Sequence, residues 1–200
     1  MTDTLTKDQI FAMIAEQRRA VADVMDGLSA EQWATPSLCA GWTVRDVAAH
    51  LVMPYEVSLP GLLVRMAKSG FDFDKVANKF ALAEHRSGAD LAKVLRANAE
   101  HRFVPPNFPP QAPLTDIVTH GLDMFRPLGI DRDIPSATLR TVLDFLMTPK
   151  ATKAFVPAGV VEGRSFVATD VEWSAGSGTE VLAPAQDLVL TLTGRVPTRT

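Results

Sequence analysis

The first 150 residues are a succession of helix-period segments, each closed off by proline or glycine. That punctuation leaves few alternatives to a helical bundle. From Thr6 to Met25, apolar residues Ile10, Met13, Ile14, Val21 and Val24 recur at helical spacing with charges between them, and Gly27 ends the run. Ser29 opens a capping box with Gln32 three residues on. After the turn-forming stretch ATPSLCAGW, Thr43 is placed to cap VRDVAAHLVM, with Asp46 in the first turn and Pro54 as a kink or end. Val57 to Lys68 reads as helix, and residues 71 to 103 give two further helices divided near Ser87 and Gly88. Five prolines in the nine residues PPNFPPQAP forbid regular helix until Pro113, which suits the first turn of LTDIVTHGLDMF. Pro127 and Gly129 stop that helix, and Ser136 is placed to cap another through Met147.

Beyond about residue 150 the pattern changes. RSFVATDVEWSAGSGTEVLAP alternates β-branched and aromatic residues with glycine turns. It predicts strands over Arg164 to Asp170 and Val171 to Ser174, with GSG as a turn. AQDLVLTLTG then reads as helix rather than strand, because Pro184 suits its start and Gly194 its end. The expected class is mainly α: a helical bundle over 1–152 followed by a small α+β appendage over 153–200.

Hydrophobic residues make up 46% and charged residues 22%, which allows an ordinary soluble core. The net charge of −3 and the lack of any long basic run argue against nucleic acid as a partner. No window reaches the roughly 18 apolar residues of a membrane span, and the polar N-terminus has no signal-peptide apolar stretch. A single cysteine, Cys39, excludes an internal disulfide. These features together predict a cytoplasmic protein.

Asp116 and His120 are spaced i, i+4, on one helical face about one turn apart. Such a pair can share one cation, although most pairs of this kind are solvated helix surface. His50, on another helix, would supply a third protein ligand and leave a coordination position open for water or substrate. Two imidazoles and a carboxylate make zinc the default, while nickel, iron and manganese suit similar donors.

Other residues have plainer readings. Trp42 is a core anchor for its loop, and Cys39 a half-buried structural thiol. Asp123 and Arg126, i, i+3, read as a surface ion pair or cap, with contact to a ligand histidine as the alternative. His85 and His101 stand in charged surroundings and read as solvated. Tyr55 either faces a pocket or packs. Arg195 is either a surface residue or a candidate to grip an anionic substrate.

The stretch LCAGWTVRDVAAHL, Leu38 to Leu51, resembles the signature around the first metal ligand of the DinB/YfiT-like superfamily. THGLDMFRPLG, Thr119 to Gly129, resembles the second signature of its actinobacterial branch, which contains mycothiol-dependent maleylpyruvate isomerase. The tail from Ala168 to Arg195 is similar to the short C-terminal region of those proteins. The resemblance implies a four-helix bundle with a divalent metal near one end, held by His50, by His120 and by the residue at 116. There this chain has aspartate where the branch usually has glutamate and other members have histidine. It also implies mycothiol as a low-molecular-weight thiol cosubstrate, a small electrophile as its acceptor, and thiol-transfer or isomerase activity. A homodimer is a reasonable expectation. The alternatives are a metal-binding or sensor protein without turnover, a metal-free structural bundle and a hydrolase.

Overall fold

A computed structural model describes residues 5–195. Helix α1 (Lys7–Asp26) begins at a capping box in which the Thr6 side chain accepts from the Gln9 amide and the Gln9 side chain accepts from the Thr6 amide. The short α2 (Ala30–Ala34) and α3 (Val44–Glu56) begin in the same way, at Ser29 with Gln32 and at Thr43 with Asp46. Pro54 lies inside α3, whose last turn continues past it to Glu56. Then come α4 (Leu59–Lys68), α5 (Phe73–Ala83), α6 (Gly88–Ala97, capped by Ser87) and α7 (Gln111–Phe125). Pro113 sits in the first turn of α7, as its missing N–H permits.

Four helices form the bundle. α1 packs on α6 and α7, and α3 packs on the same two from the other side. Their buried faces supply Ile14, Val21, Met25, Val47, Leu51, Leu91, Leu95, Leu114, Val118 and Leu122. α5 lies against α3, whereas α4 touches α5 alone to any extent.

Three segments depart from expectation. α8 (Ser136–Leu146) starts one residue earlier than predicted, with Pro135 at the cap position and Ser136 as the first helical residue making no cap hydrogen bond. The rigid proline sets the entry instead. A short helix α9 (Pro149–Ala154), capped by Thr148, follows where none was predicted. β1 (Arg164–Ala168) falls as expected, but the next strand, β2 (Ser174–Gly176), begins where the predicted one ends. Trp173 accounts for the shift, because its indole is drawn into the core and donates to Asp144 Oδ1 at 2.8 Å. β3 (Thr179–Ala183) completes the sheet in the order β2-β1-β3, antiparallel to one side of β1 and parallel to the other. Gly178, at φ 122°, lets the chain pass against the Gly163 carbonyl as β3 enters that parallel pairing. α10 (Ala185–Leu192) is a helix between Pro184 and Gly194, as read. Its apolar face packs on α8 and α7, so one buried cluster runs from Ile10 to Leu192.

Gly88 abuts Trp33 so closely that an added Cβ would lie inside the indole ring. Gly88→Ala is expected to cost about 1–3 kcal/mol through overpacking despite alanine's better helix propensity, read as a lowered urea midpoint. At the far end of α3, Arg86 binds Glu56 at 2.7 Å and pairs with Glu84. The hydrogen bond from Arg86 outweighs burial and holds the Glu84 carboxyl at about 2, against its ordinary 4.5. A depressed carboxylate stabilises the fold above its unfolded value and loses that contribution as pH falls through the folded one. Melting temperature is therefore expected to drop between pH 4.5 and 2, and Arg86→Ala to flatten the profile over that window.

Candidate metal centre

α3 and α7 bring His50, Asp116 and His120 to one point between them. Asp116 Oδ1 lies 3.6 Å from His50 Nε2 and 3.5 Å from His120 Nε2. Tetrahedral donors bonded to zinc at about 2.0–2.1 Å stand about 3.4 Å from one another, so these spacings need little adjustment to close on an ion. The shorter aspartate side chain thus lies near both imidazoles. The imidazole rings of His50 and His120 meet edge to face at 4.7 Å. Both are largely buried, whereas the Asp116 side chain is 38% exposed and faces open space. Its partial burial would raise the carboxyl, but His50, His120 and Arg18 hold it at about 2.

Behind His120 lies a buried carboxylate. Asp123 is fully buried and its Oδ2 is 2.9 Å from His120 Nδ1. This is the carboxylate–histidine arrangement that turns the other ring nitrogen towards a metal. Burial works against a charged imidazole, yet Asp123, Cys39 and Asp116 raise His120 to about 10. Asp123 also receives Arg195 through Nε at 3.0 Å and Nη2 at 2.9 Å, and the Cys39 thiol at 3.0 Å. The predicted Asp123–Arg126 pair does not form. Arg126 turns instead to Asp187 on α10, at 2.9 Å. The i, i+3 spacing that suggested Arg126 as partner fits His120 equally well, three residues to the other side. Nothing in the sequence connects Asp123 with Cys39 or Arg195, which arrive from distant segments.

Cys39, His120 and Asp123 form a second group of potential ligands among the described residues. A cation there would face Arg195, whose Nη2 is 3.5 Å from Cys39 Sγ, and Asp123 is already committed to that guanidinium. Charge therefore favours the group around Asp116. Trp42 packs as an anchor, its ring 5.4 Å from His50 and its indole donating to Asn78 at 2.8 Å. His85 and His101 are exposed, as read.

Two cavities meet at the centre, with His50, Asp116, Ala154 and Phe155 in both walls. One, of about 490 Å³, is lined chiefly by apolar side chains, among them Met53, Leu62, Met66, Phe108 and Ile117. The other, of about 870 Å³, is a polar cleft containing Trp42, Lys75, Asn78, Thr115, Thr119 and Arg195. The buried Thr115 and Thr119 hydroxyls have no hydrogen-bond partner.

The family model of the mycothiol maleylpyruvate isomerase N-terminal domain matches residues 14–124, more than half of the chain. The chain belongs to that family. Neither a curated protein nor a solved structure matches it. The mycothiol maleylpyruvate isomerase N-terminal domain here takes in His50, Asp116, His120, Asp123 and Cys39. Phe155 and Arg195, which complete the cavity walls, lie outside the matched span. No helix among the described residues is long and apolar enough to cross a membrane.

Proposed function

We propose that this protein is a metal-dependent, mycothiol-using transferase or isomerase that acts on a small electrophile in the cytoplasm. The observation that carries the reading is a group of three potential ligands set in the wall between an apolar cavity and a more polar one, so that two different molecules can reach one point. His50, Asp116 and His120 are the ligands, and Asp123 orients His120 through Nδ1. A divalent ion held there, zinc by its donor set, would stabilise a thiolate over a thiol near neutral pH.

The chain's own residues divide the remaining tasks. Lys75 and Asn78 line the more polar cleft, where a polar thiol carrier would lie. Arg195 reaches the cleft but is bound to Asp123, so it serves to position His120 and is not free to grip an anionic substrate. Tyr55 lines the apolar side, where burial pushes its phenol up to about 12 and keeps it neutral.

A metal-binding protein without turnover is the second reading. It is favoured by the commitment of the titratable groups behind His120 to one another. One assay separates the two. Zinc-loaded protein is supplied with mycothiol and a panel of electrophiles that includes maleylpyruvate, and thiol consumption is followed. Metal-dependent turnover of at least one acceptor is expected. Stoichiometric metal with no turnover across the panel would overturn the enzymatic reading in favour of the sensor.

A further inference from the structure

Of the described residues around the 490 Å³ chamber, only Arg18, His50, Tyr55 and Asp116 carry polar side chains; the rest are aliphatic, aromatic, proline or alanine. Its one cation is already committed. Arg18 Nη1 donates to the carbonyls of Ala99 at 3.0 Å and His101 at 2.6 Å, and the guanidinium stacks 5.3 Å above the Tyr55 ring. His50 and Asp116 stand at the end where the chamber meets the polar cleft. A charged guest would thus find no unshared counter-ion in the chamber and would lose its hydration on entry. The volume is that of a pocket for a small organic molecule.

The outer wall suggests how a guest enters. α4 contributes Leu62, Leu63 and Met66 and rests on α5 alone to any extent. Phe71, just beyond it, is 74% exposed and held at φ 63°, a left-handed backbone that bulky side chains rarely adopt. The chain thereby keeps a large aromatic ring at the rim, where water-exposed apolar surface is otherwise unfavourable.

We infer that the chamber is a binding site for an uncharged molecule with an apolar body, whose single polar end is presented at His50 and Asp116. This deepens the reading above, and rests on it only in making that molecule the electrophile. The acceptor would be hydrophobic and would enter from the side opposite the polar thiol.

The test uses the full-length, metal-free protein and calorimetric titration with straight-chain primary alcohols from butanol to decanol, each compared with the carboxylate of equal length. Affinity is expected to rise about fourfold per methylene, then level off once the chamber is full. Each alcohol should bind at least about tenfold more tightly than its carboxylate, given the cost of burying an unpaired charge. Leu62→Asp, which puts a charge in the wall, and Ala154→Trp, which fills space at the junction from an exposed position, should each weaken decanol about tenfold or more. Melting curves establish that the variants fold, and Ala154→Trp decides the matter should Leu62→Asp not do so. A flat dependence on chain length, tighter binding of the carboxylates, or undiminished binding by folded variants would overturn the inference. No metal enters this experiment, so its failure is distinct from failure of the metal reading, which is judged by metal content without alcohol.

Discussion

Protein prepared without an affinity tag and equilibrated with zinc is expected to hold one ion per chain, and His120→Ala to lose it. His120 faces Asp116 through Nε2 at 3.5 Å while Asp123 anchors the opposite nitrogen. Its removal deletes a ligand and also the group through which Asp123 acts. Loss of an outer partner alone typically costs about 10–100-fold in metal affinity, so removal of the ligand itself should exceed about 100-fold. His50→Ala should behave likewise, since its Nε2 stands 3.6 Å from the same carboxylate oxygen. The check is metal analysis after dialysis, with circular dichroism to establish that each variant folds. Zinc retained at full stoichiometry in both folded variants would remove His50 and His120 from the centre. The wild-type chain taking up no divalent metal under any condition would remove the centre altogether.

Asp123→Ala is expected to be the most destabilising single change near the site, by about 3–5 kcal/mol, because it strips a buried charge pair of one partner. Asp123 is fully buried and answers three groups at once: Arg195, His120 and Cys39. Burial opposes its charge, yet His120 and Arg195 hold its carboxyl at about 2. With alanine in place, Arg195, its side chain only 21% exposed, is left without its anion. For a chain of this length the loss corresponds to roughly 10 °C in melting temperature. The double variant Asp123→Ala with Arg195→Met should recover a large part of the deficit, because replacing both charges by packed apolar atoms removes the unpaired group. A melting temperature within about 2 °C of wild type for Asp123→Ala would show that the network carries little energy.

The sequence was most informative where rules act over a few residues. Thr6, Ser29 and Thr43 announce their helices because a cap and its partner lie three residues apart. Pro184 and Gly194 bracket α10 for the same reason. The strand starting at Ser174 was misplaced because Trp173 is fixed by Asp144, 29 residues away, and nothing local reports that bond. At the centre, the Asp116–His120 pairing followed from helical spacing, and His50 from spacing together with family signatures. Contact of Asp123 with a ligand histidine was among the readings, but its bonds to Cys39 and Arg195 remained hidden. Arg195 is 72 residues distant, and complete burial cannot be read from an aspartate flanked by leucine and methionine on an amphipathic helix.

The bond between Arg195 and Cys39, 156 residues apart, also bears on how the protein is made. During synthesis the bundle helices emerge well before residue 195, and domains generally begin to fold in that order. Until the last helix docks, Asp123 has no guanidinium and is held only by His120 and Cys39. A ribosome-bound intermediate thus carries a half-answered carboxylate behind His120. A nascent chain arrested before Arg195 is therefore expected to bind zinc more weakly than the chain that carries it.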